Sequence, residues 1–252
     1  MLISHLPAHV LLLIALAGLY AGMQNALAGG GSFITFPVLL LAGLNPLAAN
    51  MSSTIALFPS QITSALTGRK LVAGVGDLSF KWFFVVSLIG GVLGAILLLS
   101  TPVSIFTKLV PWLVLFATSA FAWGSFGRKP HQVNRPLPNV MMLSVQGLIA
   151  IYGGYFGGGI GFLMLAALTV AGQQVRTASA TKNALAATMN GVAVVIFAFS
   201  PQINWAAVVA LGIGGIVGGY AGAWMITWLP EKILKRFVVV VGIVLTIWLF
   251  VR

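Results

Sequence analysis

Acidic side chains are nearly missing: Asp77 and Glu231 are the only two carboxylates among 252 residues, and both fall between apolar runs. Carriers of protons and metal cations commonly work through buried Asp, Glu or His within the membrane. Here the three histidines, His5, His9 and His131, are peripheral as well. This scarcity argues against a cation substrate and a carboxylate proton relay. It argues equally against an enzyme: no Ser/His/Asp set and no metal-ligating cluster falls within the apolar runs, so neither a metal nor another cofactor is expected. Cysteine is absent, which excludes disulfides, thiolate metal sites and cysteine nucleophiles and leaves the redox compartment open. Only 6% of residues are charged, against about 25% in a soluble domain.

What remains is apolar. Hydrophobic residues make up 60% of the chain, and runs near the ~20 residues that cross a bilayer occupy 9–28, 49–68, 78–100, 104–126, 140–156, 178–200, 205–228 and 233–251. Two shorter runs, 32–42 and 160–171, follow glycine triplets and either cross or re-enter. The expected fold is an all-α polytopic membrane protein whose first partner is the lipid bilayer. The net charge of +11 would suggest nucleic acid for a soluble protein. Here most of the thirteen Lys and Arg lie between runs, where membrane topology accounts for them, so no nucleic-acid partner is expected. No Lys or Arg precedes the first run, so that run is expected to be a retained helix rather than a cleaved signal.

The chain repeats itself. An offset of 128 places Gly29-Gly30-Gly31 on Gly157-Gly158-Gly159, Gly90-Gly91-x-x-Gly94 on Gly218-Gly219-x-x-Gly222, and Pro102 on Pro230. One inserted residue aligns "ANMSSTIALFPSQ", from Ala49, with "ASATKNALAATMN", from Ala178. Two membrane repeats are expected, 1–126 and 139–252, joined by a basic linker at 127–138. Short cytoplasmic loops are enriched in Lys and Arg. Placing the linker, with Arg128, Lys129 and Arg135, inside also places Arg69, Lys70 and Lys81 inside. In the second half the counterpart of the 69–81 loop is the uncharged "SPQIN", and the counterpart of the Pro102 loop is the basic "PEKILKR". The halves are therefore expected to be inverted. With all ten segments crossing, Arg176 also falls inside and both termini outside. Inverted repeats are a common transporter architecture, with the site near the midplane where broken helices from the two halves meet.

Three features mark candidate sites. Consecutive glycines favour a helix break with exposed N–H groups. Short helices starting at Ser32 and Ile160 would aim unpaired amides and a positive dipole end at those breaks, an arrangement suited to an anion. Glycines at helical spacing, such as Gly90, Gly91 and Gly94, fit close helix packing instead. In "SATKNALAATMNG", Asn183 and Asn190 share a helix face, with Ala186 and Ala187 leaving space beside it. The equivalent face of the other half carries Thr54 and Gln61, with Pro59 expected to kink the helix. These amides suit either interhelical bonds or substrate contact. Lys182 is a cation within the 178–200 run, with no acid in the nearby spans to neutralise it. It either snorkels toward the nearby "GQQVRTA" loop or meets a bound anion.

The duplicated glycine run with its short apolar helix and Pro37, followed by "ANMSSTIALFPSQ" and its counterpart "ATKNALAATMN", resembles the TauE/SafE sulfite exporter family, the TSUP permeases, over nearly the whole chain. The resemblance implies transport of sulfur-containing anions, usually across bacterial plasma membranes. It implicates Gly29, Gly30, Gly31 and Ser32 with Gly157, Gly158 and Gly159 as helix breaks. Lys182, Asn183, Asn190, Thr54 and Gln61 become cavity lining. In the second copy Ile160 stands in place of Ser32 and Leu165 in place of Pro37, so the half-sites are not chemically equal. The expectation is a permease for a small anion, sulfite or an organosulfonate, working by alternating access between inverted halves. An anion channel and a non-transporting membrane subunit are the alternatives.

Overall fold

The computed structural model describes residues 6–27, 31–126, 138–225 and 231–251. Each expected apolar run holds a helix among its described residues. The helices are α1 (Ala8–Leu27), α2 (Ser32–Leu41), α3 (Pro46–Gly68), α4 (Phe80–Ser100) and α5 (Val103–Phe126), then α6 (Asn139–Tyr155), α7 (Ile160–Val170), α8 (Val175–Phe197), α9 (Trp205–Met225) and α10 (Glu231–Val251). No strand occurs among the described residues, where one isolated bridge joins Val75 and Leu78. Among the described residues, four helices, α1, α4, α5 and α8, are long and apolar enough to cross a membrane. The linker assigned to 127–138 lies outside the described residues except for Pro138.

Two boundaries differ from the sequence reading. Helix α8 begins at Val175, so Arg176 is on its first turn rather than in a loop. Helix α10 begins at Glu231, likewise read as loop. Polar first turns at a membrane surface need not interrupt a helix.

Local chemistry sets the short helices. At 10 and 11 residues, α2 and α7 span about 15–17 Å, roughly half a hydrocarbon core. Both stop in the same way. Gly43 (φ 91°) and Gly172 (φ 99°) adopt left-handed conformations that favour glycine. The Leu44 N–H then donates to Leu39 O and the Gln173 N–H to Leu168 O, closing matching Schellman motifs. Helix α3 starts on Asn45, whose Oδ1 accepts from the Ala48 N–H at 2.9 Å, with Pro46 in the first turn.

Packing is exchanged between the halves. The first helix of each lies along the fourth of the other: α1 on α9 and α6 on α4. Glycine makes these approaches possible. A Cβ on Gly18 or Gly22 would overlap the backbone of Leu211 or Gly215, and one on Gly94 would overlap Ile151 O. The contacts advance together along each pair, Gly18 to Leu211 then Gly22 to Gly215, and Gly90 to Ala150 then Gly94 to Gly154, so both pairs run parallel. The repeat-equivalent helices that touch run antiparallel. In α3 and α8, Gln61 meets Asn190 while Gly68 meets Ala180. In α5 and α10, Trp112 meets Phe250 while Thr118 meets Gly242. Gly219 joins the α1–α9 contact through its backbone alone: its N lies 2.7 Å from a Cβ placed on Gly22, while a Cβ placed on Gly219 itself meets nothing described within 4 Å. The outer faces carry large apolar side chains, such as Leu93, Ile96, Trp112 and Ile213, as contact with lipid tails requires.

Candidate functional site

A cavity of about 150 Å³ lies between α3 and α8, closed by the N-terminal ends of α2 and α7 and reached by Val114 of α5 and Leu245 of α10. Of the site residues expected from sequence, Ser32, Thr54, Gln61, Gly157, Gly158, Gly159, Lys182, Asn183 and Asn190 line it. Gly29 and Gly30 lie outside the described residues. Gly31 is buried but is not part of the lining. Its amide, expected to face a ligand, donates to Asn25 Oδ1 at 2.8 Å. A side chain six residues back has already capped that group.

The second break is built differently. Gly157 and Gly159 sit at φ 78° and 76°, and Gly159 is the N-cap of α7. A Cβ on Gly159 would stand 3.1 Å from Ala117 O, so the position requires glycine for both conformation and space. The Tyr152 hydroxyl donates to Gly158 O at 2.9 Å. In a trans peptide this sends the Gly159 N–H the opposite way. The amides of Gly158, Gly159, Ile160 and Gly161 have no hydrogen-bond acceptor among the described residues. They are the orphan donors of a helix start, at its positive end.

Lys182 lies alongside this turn. A methyl group on Gly161 would be 3.7 Å from Lys182 Cδ and 3.8 Å from its Nζ. The residue is half-buried, and among the described residues its ammonium has no hydrogen bond or ion pair. No carboxylate is among the described residues that line the cavity. Two positive features therefore lie side by side on the same cavity.

Helix α3 supplies most of the polar wall, and the sequence reading found only part of it. Asn50, Ser53, Ser60 and Ser64 join Thr54 and Gln61 along the cavity. The stripe is about 21 Å long. Asn50 Nδ2 donates to Tyr155 O at 3.1 Å, Ser53 Oγ pairs with Thr35 Oγ1 at 2.6 Å, and Asn190 Nδ2 donates to Gln61 Oε1 at 2.8 Å. The last bond ties α8 to α3 directly. Asn25 at the end of α1 also lines the cavity. The opposite wall is aromatic: Phe36 meets Phe156 edge-on at 5.6 Å, and Phe33 and Phe162 pack on Phe121 at 5.5 and 4.2 Å.

Residues 14–249 match the family model described as Sulfite exporter TauE/SafE. The chain belongs to this family. Among its TauE/SafE relatives, a probable membrane transporter protein, ORF9, of Sinorhizobium sp is 32% identical over 252 residues, covering 96% of this chain and 93% of the relative. A probable membrane transporter protein of Haemophilus influenzae is 28% identical over 240 residues, with 94% and 93% coverage. The probable membrane transporter protein YfcA of Escherichia coli is 25% identical over 248 residues, with 97% and 90% coverage. No solved structure matches the chain. The protein is accordingly a multi-pass membrane protein of a transporter family, and within TauE/SafE its cavity combines an unpaired cation, open backbone amides and a neutral polar helix face.

Proposed function

We propose that the protein is a permease of the bacterial inner membrane that moves a small anion, sulfite or an organosulfonate, by alternating access between inverted halves. The observation that carries this reading is the convergence of the Lys182 ammonium and the unpaired amides of Gly158 to Gly161 on a cavity with no carboxylate among its described lining. An unpaired charge in a partly buried site is costly. An anion seated there would neutralise the lysine and take up the amides, replacing part of its own hydration with charge-assisted hydrogen bonds. The antiparallel crossing of the equivalent helices, α3 with α8 and α5 with α10, supports inverted halves. It also suits a carrier, because a site between the halves can be exposed by rocking one half against the other. The reading makes the protein a transporter rather than an enzyme.

Uptake into proteoliposomes tests it. Labelled sulfite should enter saturably, with ethanesulfonate competing and with monovalent cations and neutral sugars failing to compete. Preferential uptake of cations or neutral solutes overturns the proposal. Flux that does not saturate assigns the protein to the channels, and purified protein that moves nothing is a non-transporting subunit.

A further inference from the structure

The loop from α3 to α4 is bound to the other half of the molecule. After a single 3-10 turn, Arg69–Leu71, the chain reverses at Gly76 (φ 54°), where Val75 and Leu78 pair in the isolated bridge. Both of these side chains are buried, in a cluster otherwise built mainly from α6, α7 and α8. The loop backbone is clasped as well. Gln173 Nε2 donates to Ala73 O at 2.9 Å and to Gly74 O at 2.8 Å. The Thr181 hydroxyl accepts from the Ala73 N–H and donates to Ala73 O, both at 3.2 Å. Thr181 directly precedes Lys182, so this latch ties the helix that carries the cation to the first repeat.

The first repeat holds an equivalent of Thr181 in the opposite condition. Aligning "ANMSSTIALFPSQ" with "ASATKNALAATMN" places Ser52 on Thr181. Ser52 is fully buried, yet its hydroxyl has no partner among the described residues. On the next turn of α3, Ala56 lies against Gly212 of α9 and Leu57 against Gly215. These helices therefore run parallel, and Ser52 lies toward the start of α9, on the side of the loop that joins α8 to α9. That loop is the repeat counterpart of the latched one. Among the described residues its hydrogen bonds stay within itself and the adjoining helix ends, and Phe199 is 83% exposed. One latch is closed and its equivalent is open. The closed latch is also imperfect, because Gln173 Oε1, like Ser52 Oγ, is buried and unpaired, a costly condition that release or exchange would relieve. Resting on the alternating-access reading above, we infer that Thr181 and Ser52 are paired latches that close in turn. In the state seen here Thr181 holds the α3–α4 loop. In the opposite state that loop is released, and the Ser52 hydroxyl takes up the backbone of the α8–α9 loop. A latch closed throughout would prevent α8 from moving against the first repeat.

The test uses the absence of native cysteine. Val75→Cys is buried while the latch is closed, so its labelling by a maleimide, in purified full-length protein in lipid nanodiscs, reports the released population. Adding Thr181→Val removes the clasping hydroxyl and should speed labelling about fivefold, the scale of one hydrogen bond. Adding Ser52→Ala removes a hydroxyl that is unpaired in the closed state and bonded in the other. It should favour the closed state and slow labelling by a similar factor. Labelling that rises in both variants, or that Ser52→Ala leaves unchanged, marks mere loosening and overturns the inference. A second arm joins the latch covalently, as the disulfide of Ala73→Cys/Thr181→Cys. In proteoliposomes sulfite uptake should stop on oxidation and return on reduction. A pair that never cross-links, or full uptake with the disulfide formed, overturns the latch and leaves the anion permease standing. If Thr181→Val does not insert, Ser52→Ala and the disulfide decide. Wild-type protein that moves no anion overturns the permease reading alone, because the labelling signs are read without transport.

Discussion

Glycine has two distinct jobs in this chain, and single substitutions separate them. Gly159 holds φ 76° and would bring a Cβ to 3.1 Å from Ala117 O. Gly159→Ala should therefore cost about 1–3 kcal/mol of strain and weaken anion uptake by disturbing the amides around it. Gly219 is helical, and nothing described lies within 4 Å of an added Cβ. Gly219→Ala should change stability by no more than about 0.5 kcal/mol. Thermal unfolding of the purified proteins checks the pair; equal behaviour would remove the special role of the second break. The sequence shows which residue types matter here, since a triplet kept in both halves is visible by eye. It does not show that Asn25 caps Gly31, because that bond depends on how α1 ends. Nor does it single out Ser60 and Ser64, whose helical spacing in an apolar protein fits interhelical bonding as readily as cavity lining.

At the scale of elements, the helices were legible because apolar length is a strong signal and the glycine triplets recur at an offset of 128. Their partners were not. The bonds that shape the site join residues far apart in the chain, as in Asn50 to Tyr155 and Gln61 to Asn190, and neither half contains the cavity by itself. The exchanged pairs α1–α9 and α4–α6 depend on small residues because helices in lipid associate through close packing rather than hydrophobic burial. Gly94→Val would drive a branched side chain into the backbone of α6 at Ile151 and Tyr155. It should destabilise by at least the roughly 1–3 kcal/mol of an overpacked core. A loss of the monodisperse peak in detergent checks this, and an unaltered peak would contradict the packing.

For the whole molecule, the antiparallel equivalents predict that matching loops of the two halves face opposite sides of the membrane. The absence of native cysteine makes this directly testable. Asp77 and Gln202 are both exposed, the first between α3 and α4 and the second between α8 and α9. Asp77→Cys should resist a membrane-impermeant maleimide added to intact cells, and Gln202→Cys should react. Labelling of both from the same side would remove inversion.

Whether the cavity is an anion site turns on Lys182, whose ammonium faces the amides of α7 with no carboxylate among the described lining residues. The most direct measurement is saturable sulfite uptake by Lys182→Met beside the wild type, in proteoliposomes matched for inserted protein. Uptake should fall about tenfold or more, the scale of a charge-assisted hydrogen bond. Unchanged uptake by a correctly inserted variant would assign the lysine to the membrane interface and contradict the anion site.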